Sequence, residues 1–273
     1  VPAGCVFGLI GENGAGKTTL LKHLLGLLKA QTGQVRVFGM DPVREPEQVL
    51  GRIGYLSENR DLPPWMRVAE LMRYTQAFYP KWDQAYAEEL RQTFDLDPSA
   101  KIKTLSRGQK AQAGLLAALA HRPDLLLLDE PSSGLDAVVR RDILGAIIRT
   151  VADEGRTVLF SSHLLDEVER VADYIAMIYR GKLVLCAPLD DLKAGHRRVT
   201  LQFPEPISAP PALSGALDWQ GHGRDWTALC GGPLDAFRQA AAEMRAEIAA
   251  EAVPTLEEIF VARVKGGRNH REG

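Results

Sequence analysis

Residues 11–19 read GENGAGKTT, and they directly follow an apolar run at residues 5–10. An apolar run of this length, then a glycine-rich turn, then leucines at helical spacing, is typical of a buried strand, a tight loop and a helix. Glycines keep side chains away, so successive backbone N–H groups can face a phosphate at the positive end of the helix. The stretch therefore predicts a phosphate-binding loop in an α/β protein.

Within this loop, Lys17 is placed to reach the β and γ phosphates of a nucleotide, and the Thr18 hydroxyl is placed to ligand Mg²⁺. The predicted nucleotide-binding residues are Asn13, Gly14, Ala15, Gly16, Lys17, Thr18 and Thr19. The alternative is a chance glycine-rich turn. The flanking strand and helix patterns argue against it, because they are the context in which this loop binds phosphate.

A second element is a run of four leucines at residues 125–128, followed by Asp129 and Glu130. Such a run fits a strand covered on both faces, as parallel sheets require, and ligands bind at the carboxyl edge of such sheets. Asp129 could hold Mg²⁺ through water, and Glu130 could polarise the water that attacks the γ phosphate. The alternative is a carboxylate pair on a solvated loop, which the phosphate-binding loop disfavours.

Three further motifs accompany these two: LSRGQ at residues 105–109, SGLD at residues 133–136, and His163 after an apolar run. With them, roughly residues 1–190 resemble the nucleotide-binding subunit of an ATP-binding cassette (ABC) transporter. The resemblance identifies LSRGQ as the signature, SGLD as the D-loop and His163 as the switch histidine. It implies an ATPase that uses ATP and Mg²⁺, with Lys17, Glu130 and His163 as catalytic residues.

The resemblance also implies partners. Two ATPase subunits, identical or related, would sandwich two ATP molecules head to tail. The residues implied to act on the other subunit's ATP, or along the dimer seam, are Ser106, Arg107, Gly108, Gln109 and Asp136. The family further implies an integral membrane permease, which places this chain on the cytoplasmic face of the cell membrane.

The chain departs from the family pattern at three points. Arg107 replaces the signature's first glycine, and Glu58 stands where the Q-loop has a glutamine. Glu58 could still ligand Mg²⁺ beside Thr18 and Asp129, but it adds negative charge next to a triphosphate and cannot donate as an amide does. The family's adenine-stacking aromatic precedes the phosphate loop, whereas this chain begins at Val1. We therefore expect that a native N-terminal segment is missing, and adenine stacking is not assigned.

Composition bounds the class of protein. With 273 residues, 45% hydrophobic and 25% charged, the chain has an ordinary globular balance. A net charge of −2 gives no electrostatic reason to bind nucleic acid. The cysteines Cys5, Cys186 and Cys230 lack metal-ligand spacing and favour reduced thiols. No stretch approaches the length of a membrane-spanning segment, so the sequence predicts that any pore belongs to another protein.

The organisation predicted is a P-loop NTPase core with a mostly parallel sheet at residues 1–194, an α-helical insert at about 65–122, and a small α+β appendage at 195–273. Core strands are predicted at residues 5–10, 34–38, 52–55, 125–128, 157–160 and 174–179. Insert helices are predicted at residues 68–79 and 84–94, and a third should begin at Ser106. A helix N-terminus there would again point N–H groups at an anion.

In the family the insert docks the permease, and the segment after Glu58 receives the permease's coupling helix. Leu62, Trp65 and Met66 are the predicted contacts. The alternative is that they pack the insert's own core, and for Trp65 this alternative is favoured. Tyr74, Phe78, Tyr79 and Trp82 are predicted to be core residues.

In the appendage, strand-like runs at residues 199–203 and 226–230 flank a break at Pro204, Pro206, Pro210 and Pro211. An amphipathic helix follows, and PTLEEIF at residues 254–260 resembles the closing helix of ATPases that serve ABC-2 type exporters. Residues 265–273, with Arg268, His270 and Arg271, are predicted to form a solvated, mobile basic tail; contact with membrane phosphates is the alternative.

The function predicted from all this is ATP hydrolysis that powers an exporter through a separate permease. A different class remains open: a soluble ABC ATPase acting on an assembly scaffold or a nucleic acid. A third hypothesis, an ATP-binding regulator that does not hydrolyse, is motivated by Glu58 and opposed by Glu130 and His163. The transported substrate is not written in this chain.

Overall fold

The structure is a computed structural model that describes residues 1–152 and 155–269. It divides into two compact units between Lys182 and Leu183, which is earlier in the chain than the predicted division after residue 194. The reason is that residues 189–194 form a helix that packs on the first long strand of the second unit.

The first unit is built on a parallel sheet. Its strands are β1 (Val6–Ile10), β2 (Ile53–Leu56), β3 (Leu125–Asp129), β4 (Thr157–Ser162) and β5 (Tyr174–Tyr179), in the order β2-β3-β4-β1-β5. Every pairing among them is parallel. Nearly all of their residues are buried, which explains why the sequence shows apolar runs and not an alternating pattern. The predicted α/β fold class is confirmed.

Helices connect and cover these strands. They are α1 (Lys17–Leu24), α2 (Pro46–Leu50), α3 (Val68–Gln76), α4 (Gln84–Thr93), α5 (Arg107–Leu119), α6 (Ala137–Ala152) and α7 (Leu165–Val171). The predicted helical insert is present as α3, α4 and α5. Ser106 caps α5 as predicted: the Gln109 backbone N–H donates to Ser106 Oγ, and the Ser106 N–H donates to Gln109 Oε1.

The helix α5 lies directly on the backbone of β2. A Cβ atom added at Gly54 would lie 2.1 Å from the Ala118 carbonyl oxygen, so only glycine permits this approach. Leu115, Leu116 and Leu119 of α5 are almost fully buried. The insert helix that begins at the signature is thereby anchored to the sheet.

The strand predicted at residues 34–38 is wrong. The Val37 N–H donates to the Met40 carbonyl and the Met40 N–H donates to the Val37 carbonyl, so the segment pairs with itself. Phe38 and Gly39 between them both have positive φ, 54° and 80°, as a tight two-residue turn requires. The apolar residues are explained by packing, since Val37 is buried in the core of the first unit.

Two of the four aromatic residues predicted to be core are exposed. Val68, Leu71 and Met72 form the buried face of α3, and Tyr74 and Phe78 point away from it, with 49% and 63% of their surface exposed. Tyr79 and Trp82 are half-buried. Trp65 is 70% exposed, so the core-packing alternative is wrong for that residue.

The second unit is α+β. After β6 (Lys182–Pro188), which begins at the last residue of the first unit, the chain forms α8 (Leu189–Ala194), β7 (His196–Ile207), β8 (Ala216–Gly231), α9 (Asp235–Glu243), β9 (Glu247–Ala252) and α10 (Leu256–Asn269). An antiparallel sheet in the order β8-β7-β9 packs on α9 through Leu201, Trp226 and Phe237. The predicted break at Pro204 and Pro206 is a shift of register within β7, between Gln202 and Ile207, because proline cannot donate to the ladder.

The last helix, α10, begins with a capping box. The Thr255 N–H donates to Glu258 Oε2, and the Glu258 N–H donates to Thr255 Oγ1. The helix continues through residues 265–269, where a tail is predicted, whereas His270 and Arg271 lie outside the described residues. Across the described ranges, no helix has both the length and the apolar character needed to cross a bilayer.

Candidate functional site

The phosphate loop occupies the bend between β1 and α1. Gly14 and Gly16 have φ of 79° and 108°, which a residue with a Cβ adopts only under strain. A Cβ at Gly11 would lie 2.4 Å from the Ile178 carbonyl oxygen at the end of β5. The Gly181 N–H donates to the Ala15 carbonyl at 2.9 Å. The glycines are therefore required by the path of the loop and by its closeness to β5.

The loop surrounds a cavity of about 290 Å³. Its lining joins the predicted nucleotide-binding residues with Glu58 and Glu130; the full set is Glu12, Asn13, Gly14, Ala15, Gly16, Lys17, Thr18, Thr19, Glu58 and Glu130. Because α1 begins at Lys17, the free N–H groups of its first turn face this cavity. All seven residues predicted to bind nucleotide, 13–19, therefore line one cavity.

Lys17 is 5% exposed. Its ammonium donates to the Gly11 carbonyl at 2.6 Å and to the Glu12 carbonyl at 3.3 Å. It also lies 3.0 Å from Glu130 Oε1, and both side chains of this ion pair are 6% exposed. A buried carboxylate needs such a partner, since an unpaired charge in the interior is very costly.

The backbone of Glu130 fixes this residue at the carboxyl end of β3. Its φ is 47°, a left-handed conformation that is uncommon for a residue with a side chain and is found at functional sites. The Glu130 N–H donates to Ser161 Oγ at 2.9 Å, and that hydroxyl donates to Asp129 Oδ1 at 2.6 Å. Ser161 of β4 thus joins the two acidic residues after β3, a role that the sequence prediction missed.

His163 meets the other oxygen of the same carboxylate. Its ring Nδ1 lies 2.7 Å from Glu130 Oε2, and its backbone N–H donates to that oxygen at 3.4 Å. The His163 side chain is about one-third exposed. Glu130 therefore lies between the Lys17 ammonium and the His163 imidazole, where a carboxylate can polarise a water molecule on the open side of the loop.

A second cavity, of about 570 Å³, contains the three predicted Mg²⁺ ligands Thr18, Glu58 and Asp129 in its lining. Burial, followed by the charges of Asp129 and Asp61, raises the pKa of Tyr55 on this cavity to about 12. Among the described residues there is no group of three or more His, Cys, Asp and Glu side chains that could hold a metal by itself. The hydroxyl and carboxylate oxygens suit Mg²⁺, which takes its remaining ligands from phosphates and water.

The loop after Glu130 is held by an arginine that the sequence prediction also missed. Arg60 is 6% exposed, and its Nη2 donates to the Pro131 carbonyl at 3.2 Å and to the Ser133 carbonyl at 3.0 Å. Burial, with a smaller contribution from Arg107, lowers its pKa. Arg60 sits two residues after Glu58, so it links the Q-loop position to the D-loop.

The signature residues lie beside the D-loop of their own chain. The Arg107 guanidinium packs on Gly134, where an added Cβ would lie 2.4 Å from Nη1. A Cβ added at Gly108 would lie 2.8 Å from Val139 Cγ2 of α6. Asp136 Oδ1 accepts the N–H groups of Val138 and Val139, so it caps α6. Of the described residues that line the phosphate-loop cavity, none comes from 105–109.

Comparison with known proteins identifies the family. A family model described as "ABC transporter" matches residues 1–133. The ABC transporter ATP-binding protein NatA of Bacillus subtilis is 32% identical over 209 residues, which cover 74% of this chain and 85% of NatA. The chain belongs to the ABC transporter ATP-binding proteins. YtrB, another ABC transporter ATP-binding protein of Bacillus subtilis, is 29% identical over 98% of this chain and 91% of its own length.

The fold agrees with this membership. A solved structure described as the ATP-binding subunit of an ABC transporter superposes with a TM-score of 0.65 at 28% identity, covering 70% of this chain and 82% of that one. The chain is therefore an ATP-binding subunit of an ABC transporter, and it is an ATPase. Within this ABC ATPase, Lys17 of the phosphate loop contacts Glu130, and Glu130 contacts His163.

Ser161 and Arg60 were missed for a simple reason. A serine at the end of an apolar strand and an arginine in a loop are ordinary residues in a sequence, and only the parallel pairing of β3 with β4 brings Ser161 opposite Asp129. One signal was available: polar residues at the carboxyl ends of adjacent parallel strands lie at the same edge of the sheet, where ligands bind.

Proposed function

We propose that this ABC ATPase closes head to tail with a second ATPase subunit around two ATP molecules, each bound with Mg²⁺, and that closure drives an exporter. One observation carries the pairing: the cavity of the phosphate loop contains Lys17 and Glu130 but no signature residue among those described. A signature that serves a nucleotide must therefore serve one held by another subunit.

In this arrangement the residues of the phosphate loop from Asn13 to Thr19 hold the triphosphate, and Thr18 with Asp129 and Glu58 holds Mg²⁺. Ser106, Arg107, Gly108 and Gln109 approach the γ phosphate from the opposite subunit. The exposed N-terminus of α5 supports this, because it offers free N–H groups and the Arg107 charge to an anion. Asp136, exposed at the start of α6, lies along the seam.

Glu130 acts as the base that orients and polarises the attacking water, and His163 reports whether the γ phosphate is present. The 2.7 Å contact between His163 Nδ1 and Glu130 Oε2 supports this pair of roles. The contact holds the two side chains close to each other before water and phosphate bind beside them.

The partner proposed for transport is an integral membrane permease at the cytoplasmic face. Two features of the insert support a docking surface. Leu62 lines the larger cavity together with Thr75 and Tyr79, and Trp65, Tyr74 and Phe78 expose large aromatic surfaces, which are enriched at protein interfaces. The capped helix α10, with its PTLEEIF sequence, supports assignment of the second unit as the accessory region of an exporter ATPase.

Mixing two inactive subunits tests the pairing. One subunit carries Lys17→Ala, which disables its phosphate loop. The other carries Arg107→Glu, which places a negative charge in its signature. An acidic residue suits the first turn of α5, so we expect the second variant to fold. Each variant alone should be inactive. After unfolding and refolding together, mixed dimers with one intact site should restore about a quarter of the parent rate. If no activity returns, the shared site is excluded.

Purification from membranes tests the permease. The parent chain should co-purify with an integral membrane protein after detergent extraction, and Trp65→Glu should lose that protein while it keeps ATPase activity. Leu183→Glu is the matched control, because Leu183 is 64% exposed in the second unit. Retention of the partner by Trp65→Glu, or equal loss in both variants, would contradict this surface; association with a scaffold or nucleic acid would support the soluble alternative.

A further inference from the structure

Glu167 is a buried acidic side chain that none of the motifs includes. It lies on α7, four residues after His163, and is 2% exposed. Its Oε2 accepts a hydrogen bond from Ser132 Oγ, and its Oε1 lies 3.1 Å from Arg140 Nε. A carboxylate this deep in the protein is retained only with such partners.

The partners of Glu167 lie in the segment that runs from Glu130 through the following loop into the first turn of α6. Ser132 is 1% exposed and follows Glu130 by two residues. Arg140 lies in the first turn of α6 and also donates from Nη2 to the Leu135 carbonyl at 3.3 Å. One carboxylate therefore joins the loop after Glu130, the start of α6 and the helix after His163.

This connection and the contact between Glu130 and His163 join the same two short segments of the chain. One segment contains Glu130 and Ser132, and the other contains His163 and Glu167. The two segments touch at Glu130–His163 and again at Ser132–Glu167, so each contact restricts the other. Burial raises the pKa of Glu167 against the opposing influence of Ser132 and Arg140, so the site tolerates this group at a cost. Such a cost is expected where a geometry must be maintained.

We propose that Glu167 is a positioning residue for ATP hydrolysis: by joining Ser132 and Arg140 to α7, it holds His163 against Glu130. The proposal rests on the hydrolytic activity alone, and not on the permease or on the direction of transport. It predicts an effect on turnover with little effect on nucleotide binding, because Glu167 does not line the cavity of the phosphate loop.

Two substitutions at Glu167 separate its contacts. Glu167→Gln keeps an oxygen that can accept from Ser132 but loses the charge that pairs with Arg140, and Glu167→Met loses both. We expect kcat to fall roughly tenfold in the first and roughly a hundredfold in the second, while KM for ATP stays within about twofold, since misplacement of about 1 Å can reduce rates a hundredfold. Steady-state phosphate release over a range of ATP concentrations measures both constants.

Asp166→Asn is the matched control, because it removes one carboxylate from the neighbouring, exposed position of α7; its kcat should remain within about twofold of the parent. A thermodynamic cycle adds a second test. If Ser132 and Glu167 act as one unit, Ser132→Ala combined with Glu167→Met should lose less than the product of the two separate losses.

Three outcomes would overturn the proposal: a KM that rises as much as kcat falls, a kcat loss in Asp166→Asn equal to that in Glu167→Gln, or losses in the double variant that multiply. If Glu167→Met does not fold, Ser132→Ala and Arg140→Gln test the same connection, since each leaves Glu167 with one partner. Each should reduce kcat several-fold at constant KM, and unchanged kcat in both would equally overturn it.

Discussion

The two edges of the central sheet bury polar side chains in opposite ways. At the carboxyl edge, Lys17 and Glu130 are buried as an ion pair at 3.0 Å, with Asp129 beside them. At the amino end of β2, His121 is 2% exposed, its Nε2 lies 3.1 Å from the Ile53 carbonyl oxygen, and its ring stacks on Tyr79 at 3.7 Å. Burial lowers the pKa of His121 to about 4, so it is neutral at pH 7.

The difference shows what each edge is for. Burying a charge costs several kcal/mol unless it is paired and hydrogen-bonded, and a neutral ring avoids that cost entirely. At the amino edge the neutral His121 packs on Tyr79 and contacts the backbone of β2. The carboxyl edge keeps charged groups where we propose that phosphate binds and water is activated. Each of the following substitutions tests one side of this contrast.

The largest effect is expected at Lys17. Lys17→Ala removes the cation for the phosphates and leaves Glu130 buried without its partner, a change that typically costs about 3–5 kcal/mol. ATPase activity should be abolished, and nucleotide binding should weaken by at least about tenfold. Phosphate release and fluorescent-nucleotide titration measure these, with exposed Lys29→Ala as the control. A folded Lys17→Ala protein that hydrolyses ATP would refute the role of this charge.

Glu130→Gln should separate binding from turnover. The amide keeps the size of the side chain but cannot act as a base, so turnover should fall about 10²- to 10³-fold while ATP binding remains. An ATP-bound dimer should then accumulate, visible as a larger species in size-exclusion chromatography with light scattering. Full turnover in this variant would remove Glu130 from the role of base.

His121 should make stability depend on pH in a defined window. Its pKa is about 4 in the folded protein and near 6.5 when unfolded, so between these values the unfolded state binds more protons. The free energy of unfolding should therefore fall as pH drops from 6.5 towards 4, by up to about 3 kcal/mol. Above pH 7 this contribution is complete.

Urea unfolding of the parent and of His121→Gln from pH 4.5 to 7.5 isolates that contribution, because other titrating groups, His196 among them, are common to both proteins. The slope against pH should be shallower in the variant. Identical slopes would show that His121 is not held neutral by burial, and the contrast between the two edges would fail.

Ser161→Ala tests whether the positions of Asp129 and Glu130 depend on the Ser161 hydroxyl. The substitution removes the donor to Asp129 and leaves the Glu130 N–H without its acceptor, at a cost of about 1–3 kcal/mol of stability. We expect kcat to fall about tenfold as Glu130 loses its position. Thr150→Val is the control, since it removes a buried hydroxyl that donates to the Ala146 carbonyl of the same helix, α6; equal kcat losses would contradict the role of Ser161.

The smallest effect is expected at Glu58. Glu58→Gln removes a negative charge from the lining of both cavities, which should favour the triphosphate, so activity should equal or modestly exceed that of the parent. Rates measured across a magnesium titration check this, with exposed Asp166→Asn, which lines neither cavity, as the control. Complete loss of activity would show that the carboxylate performs a specific task at this position.

Much of the site could be predicted because it is local in sequence. The phosphate loop is nine consecutive residues whose glycines and lysine have one structural explanation, and Asp129 and Glu130 follow their strand directly. The cap at Ser106 was predictable for the same reason, as it depends on Gln109 three residues later. The contact between His163 and Glu130 is different, since the resemblance to the family implied a role for His163 that no local pattern shows.

The rest depends on contacts between distant segments. Ser161, Arg60 and Glu167 act through partners more than thirty residues away, and their residue types are unremarkable in isolation. The mistaken strand at residues 34–38 fails in the same way, because hydrogen-bond partners and not apolar content decide whether a segment is a strand. Tyr74 of α3 shows why composition is not sufficient, since its exposure follows from the burial of Val68, Leu71 and Met72 on the opposite face.

The partners of Lys17 have a consequence for how the protein meets its nucleotide. The Lys17 ammonium donates to the Gly11 and Glu12 carbonyls, and it lies 3.0 Å from Glu130 Oε1 as an ion pair. An arriving phosphate must therefore compete with an anion that the protein itself supplies. If a phosphoryl oxygen takes the place of this carboxylate beside Lys17, Glu130 is left to face water once the substrate is bound.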